Sequence, residues 1–117
     1  MEQQELINKE SAMTYCCNSD EIYFDLLNVY VTQAKKNVEK LPVFYEQKDW
    51  ENYRIVVHAI KSTSLTIGAG MLSEMAKEQE MAAKENNTAF IEENWEKFLA
   101  YYHTVIEKAE EMLAGKN

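Results

Sequence analysis

Apolar residues recur along this chain three or four apart, the spacing of one helix face, and the runs between them end at turn-forming residues. Tyr23, Leu26, Leu27, Tyr30 and Ala34 form one such stripe. Asn18 stands before it as a candidate N-cap, with Glu21 three residues on in a capping-box pattern. The stripe loosens near Thr32 and resumes through Val38, Leu41, Phe44 and Tyr45; Pro42 lies inside it, so the pattern allows one bent helix or two. Asp49 can cap the next helix, which carries His58 and stops at Gly68-Ala69-Gly70, since glycine readily takes the left-handed position after a helix. Leu72, Met75, Ala76 and Ala83 mark a further helix, and Asn86-Asn87-Thr88 the break after it, with Asn87 or Thr88 as cap. The last stripe, Ile91, Trp95, Phe98, Tyr102, Val105, Ala109 and Met112, alternates by four and three, the seam of near-antiparallel bundle packing. Leu6 and Ile7 suggest a short helical piece at the N-terminus. The expected fold is all-α: an antiparallel four-helix bundle with a short N-terminal helical extension, one domain over residues 1–117 with its core from about 19 to 114.

Composition sharpens this picture. Three glycines and one proline in 117 residues favour helix over sheet, and a chain that is 46% hydrophobic can build a core without staples. The net charge of -8 argues against a nucleic-acid partner, because phosphate binding needs an excess of Lys and Arg. Cys16 and Cys17 are adjacent and the only two cysteines, a poor arrangement for either a disulfide or a zinc site, and read as thiols of a reducing compartment. Met1-Glu2-Gln3-Gln4-Glu5 is too polar for a signal peptide, and no apolar run approaches the ~20 residues of a membrane span. These features point to a cytoplasmic chain without a membrane segment. The starting Met and the helical end favour a free-standing protein.

With two histidines in the chain, each can be weighed on its own helix. At ~100° per residue, Tyr53, Val56, Ile60, Thr63 and Ile67 fall opposite His58 and make the buried stripe. Glu51, Arg54, Lys61, Ser62 and Leu65 fall on the side of His58, so the imidazole points to solvent from mid-helix. Lys61 at i+3 and Arg54 at i−4 put cations beside the ring, Ser62 is small enough for close approach, and Leu65 leaves an apolar contact on the same face. A lone ring with a cation beside it and no second base or nucleophile suits phosphoryl transfer at a docking surface better than hydrolysis. An unremarkable surface histidine is the plainer alternative.

The run His58-Ala59-Ile60-Lys61-Ser62-Thr63-Ser64-Leu65-Thr66-Ile67-Gly68-Ala69, continued by Leu72, Ala76 and Glu80, resembles the central motif of histidine-phosphotransfer domains. The resemblance extends from roughly Ser19 onward, with Asp49-Trp50 ahead of the motif. It implies that His58 is the phosphoacceptor, that Lys61 stabilises the phosphate, that Ser62 is the small position at which a receiver domain docks, and that Gly68 ends the helix. Arg54 and Leu65 join Ser62 on the expected docking face. The implied partners are a response-regulator receiver domain, which brings Mg²⁺ and the acidic pocket, and a histidine kinase. The chain itself is expected to be a monomeric phosphocarrier, not an enzyme, with no cofactor, no metal and no glycine-rich nucleotide loop.

Two positions depart from that pattern. Ser62 stands where Gly is commonest, and Gln79 stands where Leu is usual, on the buried side of its helix. Unpaired there, the amide would cost about 1–3 kcal/mol, so it is expected to find a partner or a wet edge. His103 lies on the flank of the last helix and, with Glu107 alone at i+4, reads as a surface or structural histidine; no Glu-x-x-His pair supports a di-iron centre. Met71, Met75, Met81 and Met112 are expected to pack in the bundle, Glu107, Glu110 and Glu111 to face solvent, and Phe24 and Val29 to extend the core or form an interface. A competing function is that of a helical adaptor that docks a partner through the His58 face without being phosphorylated.

Overall fold

A computed structural model describes residues 6–115 of the chain. The described residues form a short helix α1 (Lys9–Ala12), a 3-10 turn (Met13–Cys16) and four longer helices, α2 (Asp20–Glu46), α3 (Trp50–Thr66), α4 (Gly70–Lys84) and α5 (Thr88–Ala114), with no strand among them. Each long helix packs against two others: α2 on α3 and α5, and α4 on α3 and α5. Tyr23, Leu27, Leu41, Tyr53, Ile60, Leu72, Ile91, Phe98 and Tyr102 are fully buried between them. The Pro42 question resolves as one helix, since α2 runs through the proline to Glu46.

Three of the turns share one construction. After α3, Gly68 N–H donates to the Leu65 carbonyl and Ala69 N–H to that of Ser64, a Schellman closure with Gly68 at φ +93. Lys48 and Asn86 play the same part after α2 and α4 at φ +55 and +59, with Asp49 N–H returning to Phe44 and Asn87 N–H to Ala82. The residue that closes each of these two turns then caps the following helix. Asp49 accepts from Asn52 N–H at 3.3 Å and Asn87 from Phe90 N–H at 3.2 Å, so Asn87, not Thr88, is the cap. Lys48 is the one such position without a side chain suited to the left-handed region.

The start of α2 differs from expectation by one residue. Ser19, not Asn18, is the N-cap, accepting from Ile22 N–H at 3.2 Å, and Asn18 is left-handed at φ +56. Two successive left-handed residues, Cys17 and Asn18, turn the chain out of the 3-10 segment, and asparagine tolerates that conformation. With the cap moved, Glu21 no longer stands at the capping-box position. The N-terminal helix likewise begins at Lys9, after Leu6 and Ile7, with Asn8 as its cap. Ile7 is buried against the core, and Asn8 N–H donates to the Gly68 carbonyl at 2.8 Å. A Cβ on Gly68 would lie 2.1 Å from the Asn8 carbonyl oxygen, so that glycine is needed both for its φ and for this crossing.

Among the described residues every fully buried side-chain polar atom has a hydrogen-bond partner. Tyr23 donates its hydroxyl to the Ile67 carbonyl at 2.8 Å, Tyr30 and Ser64 share a hydrogen bond of 2.9 Å, and Asn37 donates to the Tyr102 hydroxyl at 3.2 Å. Gln79 is buried and its Oε1 accepts from the Tyr53 hydroxyl at 2.5 Å, which answers the question of its partner. At the α2–α3 turn Tyr45 stacks on Trp95 at 4.1 Å between centroids while Trp50 meets Tyr53 edge-on, joining α2, α3 and α5. Phe24 packs against the core, whereas Val29 is exposed. Met75 and Met112 pack as expected, but Met71 and Met81 are exposed, so the reading of all four as bundle packing does not hold. Cys16 is buried, Cys17 exposed, and both are free thiols; burial pushes the Cys16 thiol up.

Candidate functional site

The buried face of α3 is set by Tyr53, Val56, Val57, Ile60 and Ser64, with Ile67 just past its end. Thr63, expected in this stripe, is only half-buried; its hydroxyl donates to the Ala59 carbonyl at 2.8 Å. His58 lies opposite, with 57% of its side chain open to solvent. Ser62 and Leu65 are exposed on the same side, while Arg54 and Lys61 are half-buried. The sequence wheel therefore places His58, Ser62 and Leu65 correctly but makes Lys61 too open. The reason is α4, which packs on that flank of α3; Ser73 from its first turn donates to the Lys61 carbonyl at 2.8 Å.

Beneath the imidazole lies Glu80, from the middle of α4. Its Oε2 is 2.7 Å from His58 Nδ1 and its Oε1 is 2.8 Å from Lys61 Nζ, and only 10% of the Glu80 side chain is exposed. Lys61 and His58 thus share one carboxylate, one oxygen each. Burial acts to raise the Glu80 carboxyl, but the hydrogen bonds from Lys61 and His58 and their charges outweigh it and hold the group below the usual range. Glu80 is therefore ionised at neutral pH and can only accept. It follows that Nδ1 donates to Glu80, so in the neutral ring Nε2 is the nitrogen that holds the lone pair.

The sequence presented Glu80 as part of a motif; its role as the group that fixes the imidazole comes from the packing of α4 on α3. The signal available in the sequence was a lone acidic residue on the apolar side of α4, one residue after the buried Gln79. Among the described residues Arg54 makes no ion pair, so its charge stays available on the His58 face. Ile55 and Leu65 are exposed apolar side chains on α3, three residues before His58 and seven after it. Gly68 stands at the end of α3 as the expected stop.

His103 is exposed on α5, and among the described residues no three His, Cys, Asp or Glu side chains come together in a way that could hold a metal ion. Glu107 and Glu111 are exposed and Glu110 half-exposed; Glu110 pairs with Lys35 at 2.8 Å and Glu111 with Lys108 at 3.4 Å. Among the described residues no helix is long and apolar enough to cross a membrane. Comparison with protein-family models, with curated proteins and with solved structures found no match.

Proposed function

We propose that this chain is a histidine-phosphotransfer domain that carries a phosphoryl group on Nε2 of His58 to or from the aspartate of a receiver domain. The observation that carries the reading is the His58–Glu80–Lys61 cluster on an exposed helix face. The motif resemblance around His58 supports it independently. The architecture agrees with an antiparallel four-helix bundle: going up α2 from Tyr23 to Tyr30, the hydrogen-bond partners run down α3 from Ile67 to Ser64.

In the transfer, the Nε2 lone pair attacks the phosphorus of the receiver's aspartyl phosphate. The N–P bond forms as the P–O bond to the aspartate breaks, and that bonding pair returns to the receiver's carboxylate. The proton stays on Nδ1, so the ring becomes cationic, and the Glu80 carboxylate 2.7 Å away stabilises that charge. Lys61 has three ammonium donors, so it can keep Glu80 and give another hydrogen bond to a phosphoryl oxygen. Alignment and charge neutralisation are most of what such a transition state requires, and no nucleotide site is needed on this chain. Ser62 leaves room for the receiver, Leu65 and Ile55 give it apolar contacts, and Arg54 faces its acidic rim. The protein is a phosphocarrier with receiver and kinase partners, working as a monomer in the cytoplasm, without cofactor or nucleic acid.

The test is transfer from phosphorylated receivers to wild type and His58→Gln side by side. Acid-labile, base-stable label on wild type alone is expected; label on both proteins would move the site off His58, with His103 the other histidine. Lys61→Ala should slow transfer or shorten the phosphohistidine lifetime while the fold is retained; a variant unchanged in both would remove Lys61 from the mechanism. The adaptor reading predicts instead that His58→Gln retains both partner binding and signalling function.

A further inference from the structure

A second concave feature lies away from His58, between α4 and α5. It is a cleft of about 590 Å³, within the ~300–1,000 Å³ typical of small-ligand sites, and its wall is mainly apolar. Met71 and Met75 line it from α4 and Phe98 from α5; Met71 is one of the two methionines that the bundle leaves exposed. Flexible thioethers beside an aromatic ring make a surface that adapts to an alkyl chain.

The polar groups of the cleft are biased toward donors. Gln79 is 1% exposed and its Oε1 is taken by Tyr53, while among the described residues its amide nitrogen makes no hydrogen bond. Among the described residues no fully buried polar side-chain atom lacks a partner, so this N–H₂ is not sealed in the core, and the cleft is the space that Gln79 lines. On the opposite wall, among the described residues, Lys97 makes no ion pair, and Tyr101, one turn further along α5, makes no hydrogen bond through its hydroxyl. Burial raises the Tyr101 phenol, which keeps its proton available for donation. The other polar groups are engaged or opposed to an anion of higher charge. Asn94 gives one amide N–H to the Phe90 carbonyl and Thr104 its hydroxyl to the Ala100 carbonyl, and Glu78 also lines the cleft.

We propose that this cleft is a binding site for a small monocarboxylate with an apolar body, such as a medium-chain carboxylate. The chain lies against Met71, Met75 and Phe98, and the carboxylate is met by Gln79, Lys97 and Tyr101. A cation would find one carboxylate and three facing donors, and a phosphate dianion would meet Glu78. The site is independent of the phosphotransfer reading.

The full chain with methyl-labelled methionine, titrated with octanoate below its micelle concentration and followed by NMR, tests it directly. Met71 and Met75 should shift saturably while Met13 and Met112 stay fixed. Lys97→Ala should weaken binding about two- to fivefold, the range of a partly exposed ion pair. Ala100→Trp, at an exposed position on the cleft wall, should abolish binding with an unchanged circular dichroism spectrum. Absence of a saturable shift, shifts spread over all methionines, or equal affinity for octylamine would overturn the proposal. So would unchanged affinity of Lys97→Ala, which keeps the test decisive if the tryptophan variant does not fold.

Discussion

Replacing Glu80 with glutamine removes one charge and keeps the shape, so it isolates what the carboxylate does for His58 and Lys61. In the native arrangement both carboxylate oxygens accept, one from each partner, at 2.7 and 2.8 Å. Hydrogen bonds to charged groups contribute about 1.5–3 kcal/mol each where they are shielded from water. Here the His58 side chain is more than half exposed, so its share is discounted for solvent screening, and Lys61 supplies most of the effect. The expected loss is about 1–3 kcal/mol at neutral pH, or a Tm lower by about 4–12 °C for a domain of this size. A second consequence is chemical. Lys61 can only donate, so it takes the single glutamine oxygen and leaves the N–H₂ facing His58. The ring can then accept only through Nδ1, which moves its proton to Nε2 and removes the nucleophilic lone pair. Long-range ¹H–¹⁵N correlation spectra of the imidazole read the tautomer, and chemical denaturation reads the stability. The sign of the pH dependence follows from the depressed Glu80 carboxyl. Its contribution is fully present above the ordinary glutamate value of 4.5 and is lost as pH falls through the lower folded value, so wild type and variant should converge in strong acid. A Glu80→Gln protein within about 0.5 kcal/mol of wild type at neutral pH, with Nδ1 still protonated, would mean that the carboxylate neither stabilises the cluster nor sets the tautomer.

Other positions give independent checks. Gly68→Ala places a methyl against the Asn8 backbone at a left-handed φ and should cost about 1–3 kcal/mol, with faster hydrogen exchange in residues 6–16 as the segment that Asn8 anchors loosens. Gln79→Leu strands the Tyr53 hydroxyl in the core and should cost about 1–3 kcal/mol; adding Tyr53→Phe should recover much of it in a double-mutant cycle. Lys48→Gly relieves a left-handed lysine whose ion pair to Glu92 is long and exposed, and should raise stability by up to ~1 kcal/mol in urea unfolding.

The elements of this fold that are legible in the sequence are those set by local rules. Asp49 and Asn87 announce the starts of α3 and α5 by cap chemistry, Gly68 announces the end of α3, and the alternation from Ile91 to Met112 announces α5. The misplaced start of α2 has a local cause too: Asn18 and Ser19 are both good caps, and the backbone reversal at Cys17 and Asn18 decides between them. The pairing of helices is not local. A wheel for α3 alone puts Lys61 in water and leaves Val57 and Ser64 out of the core, because it cannot know that α4 covers one flank and α2 the other. For the same reason His58, Ser62 and Leu65 were readable as an exposed face, while the carboxylate beneath His58 was not. Glu80 is 22 residues away and meets the ring only through the packing of α4 on α3. Met71 and Met81 are exposed although their residue type suggests bundle packing, because they lie off the stripe of Leu72, Met75, Ala76 and Ala83.

If Glu80 holds the proton on Nδ1, the phosphoryl group must arrive on Nε2 of His58. ³¹P and ¹⁵N NMR of the ¹⁵N-histidine-labelled protein, after transfer from a phosphorylated receiver, reads that directly. A phosphorus–nitrogen coupling to Nε2 of His58, with Nδ1 still protonated, is expected. Phosphorus on Nδ1, or on His103, would contradict it.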